Sequence, residues 1–272
     1  YLNNLNKAQK EAVLHIKGPL LIVAGAGSGK TKVLTTRIAH IIKEKKAYPN
    51  QILSVTFTNK AAQEMQNRVS NILKKEAIGF SWLGTFHSVS AKILRKHPSA
   101  VGLNSNFSII DQDDQIRLIK NICKSENIDI KKLAPNYILS VINGWKNKGL
   151  YPEKVIPSKK NIFEKGILKI YKIYQSKLLD LNACDFGDLI LHCVNIFENN
   201  NDILEIYSNN FKYILVDEYQ DTNFIQSKWL NFLSIKHNNI CCVGDDDQSI
   251  YSWRGAEIKN FLEFDKVYKN TK

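Results

Sequence analysis

Eight residues, Ala24-Gly25-Ala26-Gly27-Ser28-Gly29-Lys30-Thr31, restrict what this chain can be more than any other stretch. They lie between an apolar run at 19–23 and an amphipathic stretch with apolar side chains at Val33, Leu34, Ile38, Ile41 and Ile42. That pattern reads as strand, glycine loop, helix. Glycines at such a turn let successive backbone N–H groups face a phosphate, while the helix N-terminus adds its partial positive charge. Lys30 is then placed to reach the β- and γ-phosphates, and Thr31 to offer its hydroxyl to Mg²⁺. The strict phosphate-loop pattern asks for glycine where this chain has Ala24, so it is the flanking strand and helix that identify the loop. A turn that only joins a strand to a helix is the alternative, and it leaves the Lys-Thr pair without a reason.

The remaining chain has to build a fold around that loop. At 272 residues it is long enough for one large domain or two smaller ones. Thirty-eight basic residues against 26 acidic ones leave a net charge of +12, which favours a polyanionic partner, although a basic surface kept for solubility would look the same. No apolar run approaches the roughly 20 residues that span a bilayer, and the N-terminus lacks a signal-peptide layout. The expectation is an intracellular, cytoplasmic protein with no membrane partner. Cys123, Cys184, Cys193, Cys241 and Cys242 include no C-x-x-C pair and are expected as reduced, buried thiols.

Residues 5–16 read as a short helix that brings Gln9 just ahead of the loop strand; its amide can pair with an adenine edge, or simply face water. A β-rich run at 52–57 ends in Thr58-Asn59-Lys60, ahead of a helix with Ala62, Met65, Val69, Ile72 and Leu73 spaced for burial. Ligands of open α/β sheets meet the C-terminal strand ends, so Thr58, Asn59 and Lys60 are candidates for phosphate oxygens, a role compatible with a helix cap. A third short strand at 82–84 leads into Thr85-Phe86-His87-Ser88, where a lone histidine is ordinarily structural. From about residue 89 the alternation stops and amphipathic helices follow one another to about 207. Asp111 is placed to cap one, Pro135 to open the next, and 167–181 forms a third. Asp185-Phe186-Gly187-Asp188 reads as a cap followed by a helix.

The strand pattern returns at 213–216 and ends in Asp217-Glu218-Tyr219-Gln220-Asp221-Thr222. Two carboxylates at the end of a buried strand are hard to explain by packing. Beside a phosphate loop, Asp217 suits a Mg²⁺ shell and Glu218 the base that orients and deprotonates water. A last strand at 240–243 precedes a segment containing Gln248, Tyr251, Trp253 and Arg254. Gln248 suits a γ-phosphate sensor. Tyr251 and Trp253 either stack on unpaired bases, beside the cation of Arg254, or belong to the core.

Taken together, Leu5-Asn6 with Gln9, AGAGSGKT, TFTNKAA (56–62), GTFHS (84–88), DFGDLI (185–190), VDEYQDTN (216–223) and VGDDDQSIYSWRGA (243–256) resemble the UvrD/Rep/PcrA group of superfamily 1 DNA helicases. The alanine at the head of the loop is part of that resemblance. The resemblance implies an α/β fold: a RecA-like P-loop NTPase domain with a parallel sheet, at 1–88 and 208–272, interrupted by an all-helical inserted domain at 89–207. It implies an ATP-dependent helicase acting on single-stranded DNA and single/double-strand junctions in DNA repair or replication, with ATP and Mg²⁺ as cofactors. Residue by residue, Gln9 is expected to read adenine, the loop 24–31 to hold phosphates, Thr31 and Asp217 to hold the metal, and Lys30, Glu218 and Gln248 to serve catalysis. Phe57, Thr58, Asn59, Lys60, His87, Tyr251, Trp253 and Arg254 are expected along the strand path. Tyr1 is not methionine and the motifs stop before Lys272, so the chain is expected to be a fragment lacking the family's second motor domain. That domain brings arginines worth about 10³ to 10⁵ in turnover, so the fragment alone is expected to bind ATP and hydrolyse it feebly. The alternatives are a nucleotide-gated DNA-binding module, the motor subunit of a helicase-nuclease, and a metabolic phosphotransferase.

Overall fold

The computed structural model describes residues 1–74, 79–158, 162–245, 247 and 256–272. The chain divides into two compact units, Tyr1–Val89 with Asn200–Lys272, and Ser90–Asn199.

The first unit opens with α1 (Lys7–Leu14), β1 (Leu20–Val23), α2 (Lys30–Lys43), β2 (Ile52–Thr56), α3 (Asn59–Leu73) and β3 (Leu83–Thr85). α1 begins at a reciprocal cap: the Asn6 side chain accepts from Gln9 N–H at 2.9 Å and the Gln9 side chain from Asn6 N–H at 3.1 Å. α4 (Phe86–Lys96) carries the chain into the second unit, which contains β4 (Ser108–Ile109), α5 (Gln112–Ser125), α6 (Pro135–Asn147), α7 (Glu164–Asp180), β5 (Ala183–Cys184) and α8 (Phe186–Asn199). The chain then returns through α9 (Asn201–Asn210), β6 (Tyr213–Val216), α10 (Phe224–Ser234) and β7 (Ile240–Gly244).

Among the described residues the first unit's sheet has five parallel strands in the order β1-β7-β6-β2-β3. Parallel strands need crossovers that cover both faces, so β2, β6 and β7 are buried throughout; β6 reads in sequence as an unbroken apolar run, while β2 carries Ser54 and Thr56 inside its buried stretch. Leu34, Ile38, Ile52, Met65, Leu215 and Val243 belong to one core there. The outer edge of β1 pairs with Lys272: Leu21 N–H donates to the Lys272 carbonyl at 2.9 Å and Lys272 N–H to the Pro19 carbonyl at 3.1 Å. Because the strands are parallel, every C-terminal end delivers its loop to the same side of the sheet.

In the second unit α5, α6 and α7 pack around Ile119, Ile122, Ile138, Ile142, Ile170 and Tyr174. The Asp111 carboxylate caps α5 by accepting from Asp114 N–H at 2.9 Å, and Pro135 opens α6. Beside these helices, β4 and β5 form a parallel ladder whose two-residue strands are too short to show any alternation in sequence. α9 groups with the first unit, where Tyr207 meets Trp82 edge-on at 5.9 Å and Trp82 meets Phe211 at 5.2 Å. All five cysteines are buried and free. No helix among the described residues is long and apolar enough to cross a membrane.

Candidate functional site

The glycine loop joins the end of β1 to the start of α2. Gly27 and Gly29 both have positive φ, +72° and +86°, which side-chain-bearing residues rarely adopt. At Gly29 there is a second constraint, since a Cβ there would lie 3.0 Å from Gln9 Nε2. That nitrogen donates to the Ser28 carbonyl at 2.8 Å, while Gln9 Oε1 takes part in the α1 cap. An amide has two N–H groups and two lone pairs, so one of each is left over for an adenine edge. Arg37, buried on α2, fixes α1 from behind: its Nη1 donates to the Ala12 carbonyl at 2.7 Å and to that of His15, satisfying carbonyls at the helix C-terminus.

Lys30 is buried at the head of α2. Its ammonium donates to the carbonyls of Ala24, at 2.9 Å, and Gly25, at 3.4 Å, and lies 3.6 Å from Asp245 Oδ2 at the end of β7. Thr31 Oγ1 donates to Asp217 Oδ2 at 3.4 Å. Asp217 directly follows β6 and is only 4 % exposed. Burial, and after it the neighbouring Glu218 charge, push its carboxyl up to about 6. Glu218 sits in the left-handed region at φ 51°, which is uncommon for a residue with a side chain and is found at strained, functional turns. Its carboxylate accepts from Gln220 Nε2 at 2.8 Å, and Gln220 Oε1 accepts from Asp245 N–H at 3.1 Å.

The remaining sequence candidates fall at the ends of β2 and β3. Phe57 is half-buried, its ring 5.5 Å from that of Phe86, which in turn lies 5.7 Å from Trp229. Thr58 caps α3 by accepting from Ala61 N–H at 3.1 Å, and Asn59 and Lys60 are exposed on the first turn. As an acceptor Thr58 still has its own proton to donate. His87 is half-buried at the start of α4, where burial pulls its imidazole below the ordinary value. The turn before it is held by reciprocal bonds between Thr85 and Ser88, at 2.9 and 3.1 Å. Gln248, Tyr251, Trp253 and Arg254 lie outside the described residues.

The loop residues, Gln9, Asp217 and Glu218 therefore come together at the ends of β1 and β6. Phe57 to Lys60 and His87 occupy the far half of the same edge. Sequence reasoning missed Asp245 as the carboxylate beside Lys30 and Gln220 as the partner of Glu218. A run of acids after an apolar strand was the available signal for Asp245; nothing in the sequence singled out Gln220.

A parallel α/β sheet with a phosphate-type loop after its edge strand and an acidic pair at the end of an inner strand defines a P-loop nucleotide-binding domain. The model of the UvrD/REP helicase N-terminal domain matches residues 5–269, and the chain belongs to that family. It is 50 % identical over 271 residues to a probable DNA helicase II homolog of Rickettsia felis, covering 98 % of this chain and 41 % of the relative. It is 46 % identical over 271 residues to the ATP-dependent DNA helicase PcrA of Staphylococcus epidermidis, covering 100 % of this chain and 37 % of that protein. The chain thus spans about two fifths of the length of the curated relatives it matches.

Proposed function

We propose that the first unit is the first motor domain, and Ser90–Asn199 its inserted domain, of an ATP-dependent motor that moves on single-stranded DNA and opens duplex at single/double-strand junctions. The setting is DNA repair or replication in the cytoplasm, at the nucleoid. The observation that carries this reading is the 3.4 Å contact of Thr31 with Asp217, which sets a hydroxyl at the head of the loop helix against a buried carboxylate from a different strand. That pair suits Mg²⁺: two hard oxygen donors, with nucleotide phosphates supplying further oxygens. When bound, Mg²⁺ neutralises charge on the β- and γ-phosphate oxygens.

In this reading the long stem of Lys30 lets its ammonium move from the Ala24 and Gly25 carbonyls to the phosphates, with Asp245 as counter-ion. Glu218 takes the proton of the attacking water, Gln9 reads the adenine edge, and Gln248 senses the γ-phosphate. Phe57, Thr58, Asn59, Lys60, His87, Tyr251, Trp253 and Arg254 form the track for unpaired bases, where each base stacked on an aromatic ring contributes about 1–3 kcal/mol. A second motor domain of the family is the partner that completes the nucleotide site and the track.

ATP turnover of the full-length protein, with and without a single-stranded oligonucleotide, tests this. DNA is expected to stimulate turnover, and Glu218→Gln to lower it by about 10²-fold or more while DNA binding persists; Lys30→Ala is expected to abolish it. Turnover indifferent to DNA, or surviving Lys30→Ala, would refute the proposal.

A further inference from the structure

Gln220 is 1 % exposed and its side-chain amide is held between two groups of the site. Its Nε2 donates to Glu218 Oε2 at 2.8 Å and its Oε1 accepts from the main-chain N–H of Asp245 at 3.1 Å. This assignment of the amide's two ends is fixed by the partners, because a carboxylate can only accept and an N–H can only donate. Gly244, just before Asp245, is shaped to the same contact: a Cβ there would sit 2.5 Å from Gln220 Oε1 and 2.6 Å from Phe261 Cε2. No non-glycine residue fits while the amide keeps its place.

We infer that Gln220 is a positioning residue for ATP hydrolysis: it fixes the Glu218 carboxylate and ties it to the end of β7, whose Asp245 faces Lys30. The inference rests on the reading of Glu218 as the base. Glu218 is half-buried, leaves its strand in the left-handed region and has three side-chain torsions to restrict. A base about 1 Å out of place forfeits on the order of 10²-fold in rate, so a fixed donor on its carboxylate has direct kinetic consequence. The other end of the amide keeps Asp245 N–H from being buried without a partner. An apolar side chain supplies neither bond, a glutamate repels Glu218, and an asparagine is one methylene too short to reach both.

The test is a mutant cycle in the full-length protein, reading single-turnover ATP hydrolysis and the affinity for a fluorescent ATP analogue. Gln220→Met matches the volume and removes both bonds; Gln220→Asn is the second variant, read in its place if Gln220→Met does not melt cooperatively. Either is expected to lower the hydrolysis rate by about 10- to 100-fold with nucleotide affinity within about twofold. In a Glu218→Gln background the same change is expected to lower the rate by less than about threefold, because the group it acts through is gone. An unaltered rate, an equal loss in both backgrounds, or a loss matched by weakened nucleotide binding overturns the inference and leaves the proposed motor intact. If the unmodified protein fails to hydrolyse ATP, the functional reading itself falls and Gln220 falls with it.

Discussion

Replacing Lys146 by methionine is a test of how the helical unit holds together. The ammonium of Lys146, on α6, lies 2.7 Å from both Asp185 Oδ2 and Asp188 Oδ1 at the start of α8, and all three side chains are 0 % exposed. Tyr174 donates to Asp185 Oδ2 at 2.9 Å and Gln175 to Asp188 Oδ1 at 2.8 Å, so neutral donors remain when the lysine goes, while the cation between the two carboxylates does not. Removing one partner of a buried ion pair leaves uncompensated charge and typically costs about 3–5 kcal/mol. At about 4 °C per kcal/mol for a unit of this size, melting of Ser90–Asn199 is expected to fall by about 12–20 °C.

The pH dependence of that deficit sharpens the test. Burial works to raise the Asp188 carboxyl, but Lys146 and His192 outweigh it and hold the group below its ordinary value. A carboxyl with a depressed folded value stabilises above its unfolded value of about 4, and the contribution is lost as pH falls through the folded value. Asp185 runs the other way, held up by burial and then by Asp188, so ionising it already destabilises the wild type and does so more without Lys146. The deficit of Lys146→Met is therefore expected to be full at neutral pH and to narrow as both carboxyls take protons in acid. Scanning calorimetry across pH reads it, and Lys146→Met with Asp185→Asn and Asp188→Asn is expected to recover most of the loss. A fall of less than about 4 °C at neutral pH, or a deficit that does not change with pH, would refute the reasoning.

Two further outcomes are expected. Asp221 is buried with one carboxylate oxygen, Oδ1, lacking a hydrogen bond; burial and then Glu218 push its carboxyl up to about 6, above an unfolded value of about 4. Its contribution is present below pH 4 and lost as pH rises through about 6, so Asp221→Asn is expected to be more stable than wild type at pH 8, by at most about 2–3 kcal/mol, with no difference below about pH 4; equal melting at pH 8 speaks against this. A Cβ on Gly84 would lie 2.5 Å from Ser88 Oγ, the atom that accepts from Thr85 N–H, so Gly84→Ala is expected to destabilise by about 1–3 kcal/mol in urea titration. Adding Ser88→Ala should relieve the clash, and a double variant no better than Gly84→Ala would show that the hydroxyl is not what the methyl meets.

How much of this was legible in sequence depends on distance along the chain. β6 and β7 could be read because burial on both faces forces apolar runs, β2 because its residues are mostly apolar or β-branched, and the glycine loop because its ligand needs particular atoms in one contiguous string. DFGDLI was half legible: the reciprocal Asp185–Asp188 cap is local, with bonds of 3.1 and 2.9 Å, whereas the buried ammonium that closes on it comes from Lys146 on another helix. The β4–β5 ladder and the allegiance of α9 were illegible for the same reason, since each is decided by a partner far away in sequence.

Strand order explains why the site needed residues that sequence could not supply. β7 lies between β1 and β6, so the loop helix and the acidic pair stand two strand spacings apart, about 10 Å. Each side chain that links them works across β7: Asp245 on its end faces Lys30, Gln220 reaches over from β6 to the main chain of Asp245, and Thr31 meets Asp217 directly. β7, the last strand among the described residues, thus enters the middle of a site announced by the first, and its end is tied by hydrogen bond or charge to both flanks. A displacement of Asp245 would be felt at once by Lys30 and, through the Gln220 amide, by Glu218, which makes the end of β7 the place where the two halves of the proposed nucleotide site are mechanically joined.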